Sequence, residues 1–447
     1  MAAGRTGKRL TARALAAAGT LLLLLPSAVR GSSRPDFEYQ CRLPGLPSAY
    51  NVADEGKRPA VRSQGGLETC WAISAVSSIE SALLPEDPVT LSPEHMSLRN
   101  GFTATQADGG DYFMIMSYLA DWKGPVLEEE DQYGDGFSPE GLEPALHVQE
   151  MRLLRGMGRR QIKQMILTYG AVQSSLTMDR RYTDSDRLHY YRADTCAYRD
   201  PIVEELNHDV LVLGWDDAYP RENFGIVPKR DGAWICQNTW GEDFGQDGIF
   251  YVSYEDANLL RKGGVAYTDI DTGGEDEFRY DSVLENDSLG WQGRQGFGSS
   301  SCWMAGAFTS DRAQALSAVG FYATGPYTSY RVYVIPDLKE GESPDGKERM
   351  IAAAGQAPNP GYYTVELPGE ILLRAGQRFA VCVWIDTRGA DKSAAVEFSR
   401  DRYTQSVTLE GRETWLSEDG ESWQQTQTRY GTNVCLKAYM NTDKGLG

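Results

Sequence analysis

The stretch SQGGLETCWAISA, residues 63–75, places a cysteine directly before a tryptophan and six residues after a glutamine. The longer run ETCWAISAVSSIESALL carries Trp71, Ile73, Ala75, Val76, Ile79 and Leu83 at helical spacing, with no proline until Pro85. It predicts a helix with Cys70 at or near its N-terminus. A thiol in that position has two readings. Free cysteine is among the most buried residue types and packs as a small apolar group. Beside an imidazole at a helix N-terminus it is instead a nucleophile, because both neighbours stabilise the thiolate.

The second reading needs a histidine, and the chain has four: His95, His147, His189 and His208. His208 stands in EELNHDVLVLGWDD, at the mouth of an apolar strand where a rigid sheet can present the ring to a cleft. His95 and His147 occur in polar, helix-like or loop contexts, and His189 in a Tyr- and Arg-rich stretch. An imidazole also needs an orienting partner. Asn238, in AWICQNTWGEDFG, offers a side-chain carbonyl to the ring, with Trp240 placed to cover that bond from water. The amide of Gln64 and the backbone N–H of Cys70 complete the set as donors to the oxyanion that forms when a thiolate attacks a carbonyl.

On these residues the chain resembles the papain-like cysteine peptidases. Gln64-Gly65 and Cys70-Trp71-Ala72 match the nucleophile segment, His208 in NHDVLVLGWD the base strand, and Asn238-Thr239-Trp240-Gly241 the family's Asn-Ser-Trp-Gly. His208 follows Cys70 by 138 residues, inside the roughly 130–150 expected of this class. The resemblance makes Gly109 and Gly110 the substrate-binding pair, whose missing side chains let a peptide backbone approach, and adds Trp240 to the substrate side. The phrases YLADWKGPVLEEEDQY, SAVGFYATGPYTSYRVYV and LLRAGQRFAVCV narrow it to the bacterial and archaeal subgroup with a lectin-like domain after the peptidase. Two places depart from the pattern. Leu67-Glu68-Thr69 replaces the usual Cys-Gly-Ser and Ala107-Asp108 the usual Cys-Asn, so the disulfide that joins them in relatives is not expected. Glu68 would raise the thiol pKa if it pointed inward and is expected to face solvent.

Composition agrees with two folded units. Lys plus Arg number 44 against 63 Asp plus Glu, a net charge of −19 that disfavours phosphate backbones and anionic membrane surfaces. The N-terminus, with Arg5, Lys8, Arg9 and Arg13 before ALAAAGTLLLLLPSA, has the form of a secretory signal. The expected organisation is a signal at 1–31, an α+β papain-like peptidase domain at 32–270 and an all-β sandwich of jelly-roll, lectin-like type at 278–441. Short strands such as ALSAVGFYA, YRVYVI and QRFAVCVWID support the last. Seven cysteines are too few for a disulfide scaffold and odd in number, so at least one thiol is unpaired. Cys236, Cys382 and Cys435 sit in apolar runs and read as inert core; Cys41 and Cys302 have no partner that the sequence can choose.

The expectation is therefore an exported, cell-surface or secreted cysteine endopeptidase. Cys70 is its nucleophile, His208 its base, Asn238 the orienting group and Gln64 an oxyanion donor. No metal or organic cofactor is required: the acidic runs at 128–131 and in GGEDEF read as solvated faces. Its partners are protein or peptide substrates and, through the second domain, glycans or cell-surface proteins; nucleic acid is excluded and the chain is taken as a monomer. Two rivals share the same residues: an adhesin with a degenerate peptidase half, and an acyltransferase that passes the acyl group to an amine.

Overall fold

The helix predicted around Cys70 forms as α1 (Cys70–Leu83) and is buried from Cys70 to Ser81. The computed structural model describes residues 45–178, 190–274 and 277–442; the expected signal at 1–31, Cys41 and His189 lie outside the described residues. Burial on every face explains the composition of α1. Trp71, Ala72, Ala75, Val76 and Ile79 enter one apolar core, while the small serines between them let neighbouring segments approach and bond. Ser78 Oγ donates to the Ala171 carbonyl at 2.7 Å. The one buried carboxylate, Glu80, is held by Arg62 through two bonds of 2.8 and 2.7 Å, the paired geometry that makes burial of two charges tolerable.

Three further α-helices follow in the first half. They are α2 (Pro93–Leu98), capped by Ser92 with proline at its start, α3 (Tyr112–Ala120), capped by Asp111, and α4 (Arg159–Tyr169), ending at Gly170. Beyond α4 come the strands Val172–Leu176, His208–Asp216, Ala233–Gln237, Ile249–Ser253 and Gly264–Asp271. The strand His208–Asp216 is central among them, paired antiparallel to Val172–Leu176 on one side and to Ala233–Gln237 on the other. Its first eight residues are buried, which is why its sequence is a near-continuous apolar run rather than an alternating one.

The second half is a β-sandwich whose strands lie in a six-stranded sheet, a three-stranded sheet and one end of a thirteen-stranded sheet. Along Arg378–Asp386, Phe379, Val381, Val383 and Ile385 point into the inter-sheet core, and Ala380 and Cys382 into a smaller cluster on the other face. That is the period of two expected of a strand. Cys302, Cys382 and Cys435 are buried and free, as is Cys236 in the first half.

The halves share a sheet. Among the described residues, one thirteen-stranded sheet runs from the sandwich into the helical half through the pairing of Gly361–Leu373 with His147–Leu153. Gly361 makes that junction possible: at φ +146° its backbone lies so close to the Met151 carbonyl that a Cβ would sit 2.0 Å from the oxygen. Lys437 reinforces the contact from the sandwich side. It is buried and ion-paired with Asp121 at the end of α3, with Asp287 at 3.2 Å and with Glu285 at 3.4 Å. His147 differs from its sequence reading. It opens a buried strand, its ring stacked 3.7 Å from Trp122 and packed on Phe278. The flanking Leu146 and Val148 outweigh the polar residues nearby.

Candidate active site

Cys70 is the first residue of α1 and only 6% exposed. Two backbone N–H groups donate to its sulfur, those of Asp209 and of Trp71. The first of these bonds brings the start of the strand His208–Asp216 against the N-terminus of α1, so Cys70 and His208 line one cleft of about 890 Å3. The other histidines are occupied elsewhere. His95 bonds to the Tyr118 hydroxyl at 2.8 Å, and burial lowers both His95 and His147 to about 4.

His208 Nε2 lies 2.7 Å from Asn238 Oδ1, and the same oxygen accepts from the Thr239 N–H at 2.8 Å. A backbone N–H can only donate, so the atom facing it is the carbonyl oxygen and the orientation of Asn238 is fixed. His208 must then carry its proton on Nε2, which leaves Nδ1 to act toward the cleft. Trp240 stacks obliquely on His208 with ring centres 4.8 Å apart, and Phe244 meets Trp240 edge-on. Neither Trp240 nor Asn238 lines the cleft. Trp240 thus stands against the imidazole.

Gln64 is also buried. Its Nε2 donates to the Leu67 carbonyl at 2.6 Å, its Oε1 accepts from the Thr239 hydroxyl at 2.6 Å, and its backbone N–H bonds to the Thr239 carbonyl at 2.7 Å. One residue therefore ties Asn238 to Gln64: Thr239 donates to both side chains. This role of Thr239 follows from a contact between segments 175 residues apart.

The glycine pair lines the cleft, and each glycine also meets a demand of the fold. A Cβ on Gly110 would lie 2.3 Å from the Trp71 ring, so glycine here admits the indole of α1. Gly109 has φ +77° and nothing nearer than the Glu68 carbonyl at 4.0 Å; its demand is conformational.

Taken alone, the thiol meets an environment that opposes its ionisation. The pKa of Cys70 is pushed up to about 12, first by burial and then by the charge of Asp209; the two N–H donors act the other way, and Glu68 adds to the rise. Glu68 is exposed, as expected, but it lines the cleft and its field reaches the sulfur. The stronger carboxylate, Asp209, went unremarked in the sequence because it follows the histidine inside an apolar run. Four cleft residues come from the second half of the chain, Trp291, Arg294, Thr324 and Pro360, and only a folded structure could assign them.

Comparison with known proteins matches residues 46–267 to the papain family cysteine protease model and residues 283–440 to the lectin like domain model. Residues 46–267 belong to the papain family, and a lectin-like domain follows them. Cysteine proteinase B of Leishmania mexicana is 26% identical over 224 residues, 47% of this chain and 45% of that protein. Cysteine proteinase 1 of Zea mays is 26% identical over 239 residues, 49% of this chain and 60% of that one. The chain spans about half the length of the curated relatives it matches. The crystal structure of the cysteine protease and lectin-like domains of Cwp84, a surface layer associated protein of Clostridium difficile, superposes with a TM-score of 0.73. It covers 89% of each chain at 24% identity, a likeness of fold across both domains.

Proposed function

We propose that this chain is an exported cysteine endopeptidase that hydrolyses peptide bonds through a thioester. The observation that carries the reading is the convergence on one cleft of a helix-N-terminal thiol and an imidazole fixed by Asn238.

His208 Nδ1 takes the Cys70 proton as the sulfur attacks the scissile carbonyl carbon and the C–S bond forms. Burial opposes a lone thiolate, but transfer to His208 creates an ion pair with no net charge, so the two groups titrate together rather than singly. The developing oxyanion accepts from the Cys70 N–H and from the second amide hydrogen of Gln64, the first being committed to Leu67. The C–N bond then breaks, and His208 gives its proton to the departing amine. Water, deprotonated by His208, attacks the thioester and releases the acid and the thiol.

The lectin-like domain lines part of the cleft, and in this reading it also binds a glycan or a cell-surface protein, which its match to the lectin like domain model supports. Export rests on the sequence of residues 1–31. Cys70→Ala should abolish hydrolysis of denatured casein by the full chain while leaving its thermal melt nearly unchanged. Hydrolysis retained by that variant would refute the reading.

A further inference from the structure

Asp209 is the second residue of its strand and only 7% exposed, yet its side of the strand opens into the cleft next to Cys70. The side chains bonded to its carboxylate are donors. Gln173 Nε2 gives it a bond of 2.6 Å, and the Tyr267 hydroxyl, donating to Gln173 Oε1 at 2.9 Å, keeps that amide turned the right way. Ser175, its cross-strand neighbour, donates its hydroxyl to the carboxylate and lies 2.5 Å from the Tyr112 hydroxyl, which can donate in turn. A shell of donors holds an anion, since a neutral acid would need an acceptor for its own proton.

No cation pairs with Asp209 among the described residues. Four basic side chains line the same cleft, but Arg261 donates to the Glu204 carbonyl at 2.6 Å, Arg294 lies over the Trp291 ring, and neither Arg155 nor Lys262 forms an ion pair with Asp209. The nearby Asp111 adds negative charge while its own oxygen caps α3. A buried anion held by dipoles alone, with no counter-charge, is costly unless something else brings one. The cost shows in its carboxyl, raised to about 6 chiefly by burial, a value that still leaves it ionised at neutral pH.

We propose that Asp209 is a specificity residue that takes a lysine or arginine side chain from the substrate residue occupying the pocket beside Cys70. This rests on the peptidase reading above. The pairing would complete a charge-assisted contact that an apolar or acidic residue cannot make, and desolvation in the filled pocket would strengthen it. The alternative is a purely structural carboxylate that ties the strand to Gln173 and leaves substrate choice to other groups.

The test is a set of fluorogenic peptides in which each position flanking the cleaved bond carries lysine, arginine, leucine or glutamate in turn, hydrolysed by the full chain at pH 7.5. At one position the basic residues should exceed leucine by tenfold or more in kcat/KM. In Asp209→Asn that ratio should fall to near one. The same peptides are titrated against Cys70→Ala by fluorescence anisotropy, so that selection is read without chemistry. Hydrolysis with no basic preference at any position would overturn the proposal and leave the peptidase reading intact. Absence of hydrolysis with a basic preference in binding would do the reverse. A basic preference that Asp209→Asn leaves unchanged would assign the selection to other residues and overturn the proposal. The wild-type profile needs no variant, so a poorly folding Asp209→Asn would not shield the idea.

Discussion

Asn238 Oδ1 stands 2.7 Å from His208 Nε2, and the Thr239 N–H holds that oxygen in place. Two donors to one acceptor fix both the amide and the imidazole tautomer, so the reactive nitrogen is chosen by a bond on the far side of the ring. Asn238→Ala should therefore lower kcat more than it raises KM. Loss of a hydrogen bond to a group that becomes charged is worth about 1.5–3 kcal/mol, or about ten- to a hundredfold in rate. Steady-state kinetics on a single peptide check this. A variant with wild-type kcat would show that the ring is oriented by Trp240 packing alone.

The thiol should respond to Asp209. A negative charge near the sulfur favours the neutral thiol, so Asp209→Asn should shift the pH dependence of Cys70 alkylation by iodoacetamide to lower pH. At a fixed neutral pH the variant should label faster than wild type. The other described cysteines serve as internal controls, since burial pushes Cys302 and Cys382 up to about 12 independently of this carboxylate. An unchanged profile would mean that the carboxylate's field does not reach the sulfur.

Much of this site could be read from the sequence because its parts are local signals. Helical spacing around Cys70 and the apolar run after His208 each lie within one short segment, and the order of Gln64, Cys70, His208 and Asn238 is read directly along the chain. What could not be read depends on pairing between segments. Position 209 gains its meaning from Gln173 and Ser175 across the sheet; the only local trace is the polar QSS inside an otherwise apolar strand. Thr239 is similar, its importance set by Gln64. The sandwich strands were visible as short apolar, β-branched and aromatic runs, whereas their continuation into the helical half through Gly361 required a close backbone approach that no pattern of side chains announces.

The glycine pair separates two physical demands. Gly110→Ala would place a methyl 2.3 Å from the Trp71 ring, and overpacking of this kind costs about 1–3 kcal/mol. Because Trp71 follows Cys70 directly, displacement of the indole should also reduce kcat/KM. Gly109→Ala meets open space and pays only for a left-handed backbone, about 1–2 kcal/mol. Thermal melts of the two variants with matched kinetics test the contrast. Equal activity in both would show that Trp71 yields without disturbing the thiol.

Lys437 offers a test of the junction between the two halves. It is buried beside Asp121, Asp287 and Glu285, and Lys437→Met leaves those carboxylates with Lys123, which pairs with Asp121 at 2.6 Å. Removing one partner from buried ion pairs costs about 3–5 kcal/mol, so the variant should melt well below wild type at pH 8. The loss should shrink at acidic pH. Burial raises Glu285 to about 7 and Asp287 in the same direction. A carboxyl whose folded pKa exceeds its unfolded value binds protons first in the folded state, so its unfavourable charge is relieved as pH falls from about 7 toward the ordinary glutamate range near 4.5. Without the lysine both carboxyls should rise further, and the melting difference from wild type should be smaller at pH 5 than at pH 8. The same difference at both values would show that the cluster's charges are already neutralised by other means.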